Sequence, residues 1–129
     1  RRNYHTQQQD RWEAEDRSLS VFFHDSQASQ VSNSIDEAAF DQVSIEDKHC
    51  CNDLNLLEKF QHKTVIFGSL AIASSRLETT EEIVERLKAA LNHIDRDRLV
   101  VAPDCGLGLL PTQLAEDKLR VMCKAAALI

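Results

Sequence analysis

The residues best suited to chemistry are Glu46 and the adjacent pair Asp104 and Cys105, each of which follows a short β-branched run. Thiolate sulfur and carboxylate oxygen are both ordinary ligands of zinc. If the two runs are strands separated by one neighbour, their backbones lie about 9.6 Å apart, twice the strand spacing. Inward-pointing side chains on a curved sheet close such a gap. The spacing therefore allows a metal site at Glu46 and Cys105; the alternative is a buried, apolar-like Cys105 and a solvated Glu46.

Three β-branched runs, at 42–45, 64–67 and 99–102, are the strands that must position these residues. A segment of helical period follows each run, and the clearest begins at the capping-box pair Thr79 and Glu82. Strands and helices that alternate in this way predict a parallel sheet with helices outside it. The apolar positions that define the helices are Leu54, Leu57 and Phe60, then Ile83, Leu87, Leu91 and Ile94, and finally Ala115, Leu119, Met122 and Ala126.

Loops at the carboxyl ends of parallel strands are where such sheets hold their functional groups. Here they begin at 46–47, 69–71 and 104–106, so the outer loops carry carboxylates and a thiol. The middle loop offers mainly the hydroxyls of Ser69, Ser74 and Ser75. The run at 99–102 is almost continuously apolar, which predicts a strand covered on both faces.

Composition divides the chain into two parts. Residues 1–34 are rich in Gln, Ser and Asn and are weakly specified, apart from an apolar cluster at 19–23 that is either a short strand or a hydrophobic anchor. Residues 35–129 hold the repeated βα pattern. We therefore predict a polar N-terminal segment over 1–34 and an α/β region over 35–129.

Length and charge exclude several classes of function. The chain has 129 residues, fewer than the usual barrel of about 250, and a net charge of −6, which argues against a nucleic-acid or anionic-membrane partner. No apolar run is long enough for a transmembrane span. Four cysteines in such a chain favour free thiols or metal ligands over a disulfide framework. We expect a cytoplasmic protein.

The segment 99–107, which contains Pro-Asp-Cys-Gly, resembles a segment near the end of cobalamin-independent methionine synthases. Residues 114–122 resemble the last helix of that family, and 40–46 resemble its strand that ends in a metal-binding glutamate. The similarity covers about residues 35–127. It implies the C-terminal portion of a TIM (β/α)8 barrel, with parallel strands alternating with helices.

The resemblance also implies an activity, zinc-dependent methyl transfer from a polyglutamylated methyl-folate to the thiol of homocysteine. Of the family's zinc ligands, the glutamate matches Glu46 and the Pro-Asp-Cys-Gly cysteine matches Cys105. Asp104 is expected to orient a ligand, a role that metal sites commonly require. Zinc would make the substrate thiol a thiolate at neutral pH.

Two departures from the family pattern stand out. No His-x-Cys motif occurs in the chain, although this motif supplies the other two family ligands. Residues 1–4 resemble the stretch that follows the motif in several relatives, and this resemblance implies that the motif lies just before Arg1. Ala73 and Ser74 occupy the positions of a His-Ser pair that assists proton handling in the family's methionine synthases. This substitution favours a divergent relative with an altered substrate. His49, Cys50 and Cys51 are replacement ligands or, alternatively, part of a surface loop with a thiol pair.

Two classes of function remain open at this point. The first is a methyltransferase of the methionine synthase type, as a fragment or a divergent relative. The second is a non-catalytic barrel remnant that self-associates. Because three or four strands cannot close an eight-stranded barrel, we expect open sheet edges and a possible homo-oligomer that covers them.

Overall fold

The computed structural model describes residues 18–20 and 34–129. Most of the predicted polar segment at 1–34 therefore lies outside the described residues. A strand at Ser18–Ser20 overlaps the apolar cluster predicted at 19–23, as the strand alternative requires. The remaining residues of that cluster, 21–23, lie outside the described part of the chain.

The described residues form one sheet of four parallel strands, in the order β1-β2-β3-β4. They are β1 (Ser18–Ser20), β2 (Gln42–Ile45), β3 (Thr64–Gly68) and β4 (Leu99–Ala102). Ile45 pairs with Phe67, and Phe67 pairs with Val101, so the carboxyl ends of β2, β3 and β4 lie level at one edge. This register confirms the predicted parallel α/β pattern and brings the three predicted loops together.

Helices cover the sheet as predicted. A 3₁₀ helix spans Leu54–Lys59, α1 spans Thr80–Ala90 and α2 spans Thr112–Ala126, with short 3₁₀ helices at Arg96–Arg98 and Leu107–Leu109. The capping box at α1 is confirmed, since Thr79 Oγ1 accepts the Glu82 amide at 3.2 Å and Glu82 Oε2 accepts the Thr79 amide at 3.0 Å. Among the described residues, no helix is long and apolar enough to cross a membrane.

The first helix ends before its predicted last residues. Leu91 caps α1, and the amides of Asn92 and His93 bond to carbonyls three residues back instead of four. This tightening turns the chain out of the helix toward β4. Ile94 still packs in the core, because it is 5% exposed.

The core lies between the sheet and the two helices. Val43, Val65, Phe67, Leu57, Phe60, Ile83, Leu87, Met122 and Ala125 form its centre. The buried stripe of α2 differs from the prediction, because Lys118, Met122 and Ala125 face inward whereas Leu119 is 38% exposed. A lysine occupies a core position of this helix. The apolar pattern alone therefore predicted the wrong face of the helix to be buried.

The prediction that β4 is covered on both faces is wrong. Val100 is 44% exposed, because β4 is the last strand of the sheet and pairs only with β3 among the described residues. An open groove of about 350 Å³ runs beside it, lined by Leu91, Arg96, Leu99, Val100, Val101, Ala126 and Ile129. The homo-oligomer that would cover such an edge stays a prediction.

Candidate functional site

Glu46 and Cys105 lie in contact at the carboxyl edge of the sheet. Glu46 directly follows β2 and Cys105 lies three residues after β4, yet Cys105 Sγ donates to Glu46 Oε1 at 2.6 Å. This hydrogen bond to Glu46, together with burial, raises the pKa of the Cys105 thiol to about 11. The thiol therefore holds its proton at neutral pH, and a cation bound between the two groups would have to displace it.

Asp104, the neighbour of Cys105, points toward the loop that follows β2. Its side chain is fully buried, and its Oδ1 accepts the backbone amides of Asp47 and Lys48 at 3.2 and 3.1 Å. Its Oδ2 accepts the amide of His49 at 2.7 Å and lies 2.7 Å from Nδ1 of the same residue. Burial raises the pKa of Asp104, and the hydrogen bonds from Lys48 and His49 oppose that effect. Asp104 thus joins the end of β4 to the loop after β2.

Gly68 makes room for this carboxylate at the end of β3. A Cβ atom on Gly68 would lie 2.1 Å from Asp104 Oδ1 and 2.9 Å from its Cα. Backbone atoms cannot retreat as the end of a flexible side chain can. Only glycine at position 68 therefore allows Asp104 to cross the end of β3 and reach the amides beyond it.

The backbone of Glu46 is held by a second set of polar contacts. Asp47 is buried and binds the guanidinium of Arg86 through two hydrogen bonds of 2.7 Å. Arg86 also donates to the Asn52 carbonyl at 2.8 Å, and the Asn52 amide group donates to the Glu46 carbonyl. The pKa of Arg86 is raised by its hydrogen bond to Asp47. Asp47 is thus a structural ion-pair partner that fixes the loop to α1.

The loop after β3 is fixed by a buried ion pair. Lys118 Nζ on α2 donates to Glu78 Oε2 at 2.7 Å and to the carbonyls of Ala71 and Arg76 at 3.0 and 2.7 Å. Glu78 Oε1 accepts the Ala71 amide at 3.1 Å. Burial would raise the pKa of Glu78, but the hydrogen bonds from Lys118 and from backbone amides outweigh it and lower that pKa.

Two of the three hydroxyls predicted in this loop bond to the backbone. Ser69 Oγ donates to the Ala102 carbonyl at 3.2 Å, and Ser74 Oγ accepts the Arg76 amide at 3.2 Å. The Ala73 amide donates to His49 Nε2 at 3.2 Å, which links this loop to the one after β2. Sequence reasoning offered His49 only as a replacement ligand and missed Gly68 and Lys118 as site-forming residues. The single visible signal was a lysine one turn before Met122 on the core face of α2.

The cysteines beside His49 differ from one another. Cys51 is exposed and has a positive φ of 49°, whereas Cys50 is half-buried. Burial and the nearby Glu46 carboxylate raise the pKa of Cys50. Within residues 34–129, no three His, Cys, Asp or Glu side chains are arranged to hold one metal ion. Cys123 is exposed, because α2 turns Met122 and Ala125 to the core instead.

A family model described as "Cobalamin-independent synthase, Catalytic domain" matches residues 13–128. The chain belongs to this family. The match includes Glu46, Cys105 and the strands that precede them, and it confirms the family that the resemblance indicated. The matched residues include the whole carboxyl edge of β2, β3 and β4.

Relatives and a solved structure agree with the assignment. A methionine synthase from Pyrococcus abyssi is 38% identical over 60% of this chain and 23% of its own length. A 2-hydroxypropyl-CoM lyase from Xanthobacter autotrophicus is 34% identical over 48% of this chain and 16% of its own length. The structure of a B12-independent methionine synthase from Shewanella sp. W3-18-1 in complex with selenomethionine matches 83% of this chain and 31% of that chain, with a TM-score of 0.76 and 27% identity.

These comparisons show how much of each relative the chain corresponds to. The chain spans about a quarter of the length of the methionine synthase from Pyrococcus abyssi and 31% of the chain in the solved structure. The four parallel strands are therefore a portion of a (β/α)8 barrel, as predicted. Residues 35–129 as a C-terminal unit distinct from 1–34 stay a prediction.

Proposed function

We propose that this chain carries part of the zinc site of a methyltransferase of the cobalamin-independent methionine synthase type. Glu46 and Cys105 would hold the metal, and Asp104 would orient the loop that carries Glu46. The observation that supports the proposal most strongly is the 2.6 Å contact between Cys105 Sγ and Glu46 Oε1. Residues 59 positions apart in sequence place a sulfur and a carboxylate oxygen together at the edge where this fold holds its chemistry.

The donor set fits zinc in kind. Cysteine sulfur and glutamate oxygen are both zinc ligands, and a catalytic site commonly uses three protein ligands. The described residues provide two in contact, so further donors must come from outside residues 34–129. The family membership supports the same metal. We expect the affinity of this chain alone for zinc to be correspondingly modest.

The proposed reaction is methyl transfer from methyl-tetrahydrofolate to the thiol of homocysteine. When bound, zinc would act as a Lewis acid that favours the thiolate form of the substrate, which is the nucleophilic form. Glu46 and Cys105 would bind at one side of the site, and Asp104 would keep the 47–49 backbone fixed through its hydrogen bonds. The middle loop holds Ala73, whose side chain has no group that can move a proton.

The thiol substrate is proposed as a chemical class. Relatives of this chain include proteins named methionine synthase and a protein named 2-hydroxypropyl-CoM lyase. Ala73 stands where the family resemblance places a histidine. We therefore propose a methyl-accepting thiol as the substrate class, with homocysteine as the first candidate to assay.

Zinc content tests the metal part of the proposal. The 129-residue chain, purified under reducing conditions, is dialysed against buffered zinc, and zinc per chain is measured by inductively coupled plasma mass spectrometry. We expect Glu46→Gln and Cys105→Ser each to lower zinc occupancy at least tenfold at limiting metal. Cys123→Ser is the matched control, because that thiol is exposed on α2 and lies outside the site. Equal zinc in the wild type and both site variants would contradict the proposal.

The non-catalytic alternative makes different predictions. The exposed apolar edge at Val100 favours it, since a barrel remnant would cover that edge by self-association. A chain that binds no zinc, transfers no methyl group and sediments as an oligomer would support the remnant. A chain that binds zinc through Glu46 and Cys105 would support the methyltransferase.

A further inference from the structure

His49 lies between two loops of the site, and neither the proposed metal site nor the proposed reaction uses it. Its Nδ1 lies 2.7 Å from Asp104 Oδ2, and its Nε2 lies 3.2 Å from the backbone nitrogen of Ala73. The side chain is 27% exposed, so the ring is held between these partners and is not free in solvent. One imidazole thus bridges the loops that follow β2, β3 and β4.

The two contacts fix where the ring proton lies. A backbone amide can only donate, so Nε2 must present its lone pair to Ala73. A neutral imidazole with a lone pair on Nε2 carries its proton on Nδ1, where the acceptor is the Asp104 carboxylate. Both ring nitrogens are then engaged. His49 has no lone pair left for a cation, which argues against its prediction as a replacement ligand.

The backbone of the same residue adds a third bond. The His49 amide donates to Asp104 Oδ2 at 2.7 Å, the oxygen that also faces its ring. The segment from Glu46 to His49 is thereby tied at both ends to 104–105, by Glu46 to Cys105 and by His49 to Asp104. A shift of His49 would move Glu46 relative to Cys105, because only two residues separate His49 from Glu46 in the chain.

We propose that His49 is a positioning residue that holds Glu46 against Cys105 by bracing the loops after β2 and β3 on Asp104. The metal part of its test rests on the proposed function, and the tautomer part does not. Loss of partners that orient metal ligands typically weakens metal binding about 10- to 100-fold. The proposal therefore predicts a specific order of effects among substitutions that keep one bond or the other.

Three substitutions separate the two ring contacts. His49→Asn places an amide nitrogen near the position of Nδ1 and keeps the donor to Asp104. His49→Gln places an amide oxygen near the position of Nε2 and keeps the acceptor for Ala73. His49→Ala removes both. His62→Asn is the control, because His62 is exposed and precedes β3 at the opposite edge of the sheet.

Cobalt(II), which gives a visible spectrum with thiolate ligands, is the probe of the metal site. We expect His49→Ala to weaken cobalt binding at least tenfold, and the Asn and Gln variants each to recover part of that loss. His62→Asn should bind as the wild type does. If His49→Ala binds cobalt as tightly as the wild type, the brace is not needed to hold the ligands and the proposal fails.

A metal-free measurement tests the brace independently. Nitrogen-15 NMR of the ring, assigned by the signal lost in His49→Asn, should show the neutral Nδ1–H tautomer at pH 7.5. A dominant Nε2–H tautomer would overturn the proposal, and so would direct coordination of His49 when cobalt is added. If the wild type binds no cobalt at all, the zinc function fails while the ring tautomer still decides the role of His49.

Discussion

The carboxyl edge of the sheet and the open side of β4 belong to the same four strands, yet they are built in opposite ways. At the carboxyl edge, Asp104 accepts three backbone amides and faces His49, and Gly68 leaves the space for it. Along β4, Val100 is exposed beside an apolar groove. Hydrogen bonds therefore hold the edge that carries Glu46 and Cys105 in place, while the outer side of β4 lacks cover among the described residues.

Removing the cation of the buried ion pair should have the largest effect. Lys118→Met leaves the Glu78 carboxylate buried without its partner, which typically costs about 3–5 kcal/mol. Urea denaturation at pH 7 measures the loss in the free energy of unfolding. Arg120→Ala, which removes an exposed partner of Asp117, should change stability by less than about 1 kcal/mol. Similar losses in the two variants would mean that the loop after β3 does not depend on Lys118.

Filling the space at Gly68 should have the next largest effect. Gly68→Ala places a methyl group against Asp104, and overpacking of this kind costs about 1–3 kcal/mol. Gly106→Ala is the matched control, because a Cβ there meets no atom within 4 Å and the residue has an ordinary negative φ of −64°. The difference between the urea midpoints of the two variants measures how much stability is lost when a methyl group occupies the space between Gly68 and Asp104. Equal midpoints would show that Asp104 can move away without cost.

Acid should weaken the Glu78–Lys118 pair by a smaller amount. The pKa of Glu78 is lowered in the folded chain, so its contribution to stability is present above the unfolded pKa of about 4.3 and is lost as pH falls through the lowered folded pKa. A double variant, Lys118→Met with Glu78→Gln, lacks this contribution. Stability measured between pH 7 and pH 3 should fall less steeply in the double variant. If stability falls equally steeply with pH in the double variant and the wild type, Glu78 does not contribute to acid sensitivity.

The smallest effect on stability is expected at the open side of β4. Val100→Lys changes an exposed side chain, and such surface substitutions usually alter stability by within about 0.5 kcal/mol. A charge on an edge strand opposes strand pairing between copies. Sedimentation velocity should therefore show less association in Val100→Lys than in the wild type. Unchanged sedimentation would mean that this edge does not mediate contact between copies.

The strands could be predicted closely because each is a β-branched run with a clear end. β2 and β4 have the predicted bounds, and β3 extends one residue further to Gly68. The rotation of α2 could not be predicted, since Lys118 looks polar in sequence and becomes a core residue only through Glu78, 40 positions away. The proximity of Glu46 and Cys105 followed from the βα pattern. The part played by His49 did not, because its ring partners are Asp104 and the Ala73 backbone, 55 and 24 residues further along.

The position of Asp104 in the chain has a consequence for folding order. Its hydrogen bonds to the 47–49 amides close loops of 55 to 57 residues, so those amides keep no partner on this carboxylate until β4 has joined the sheet. Contacts of such long sequence separation form late and slowly. During synthesis, the Glu46 end of the sheet therefore stays incomplete until Asp104 and Cys105 have left the ribosome and β4 has paired with β3.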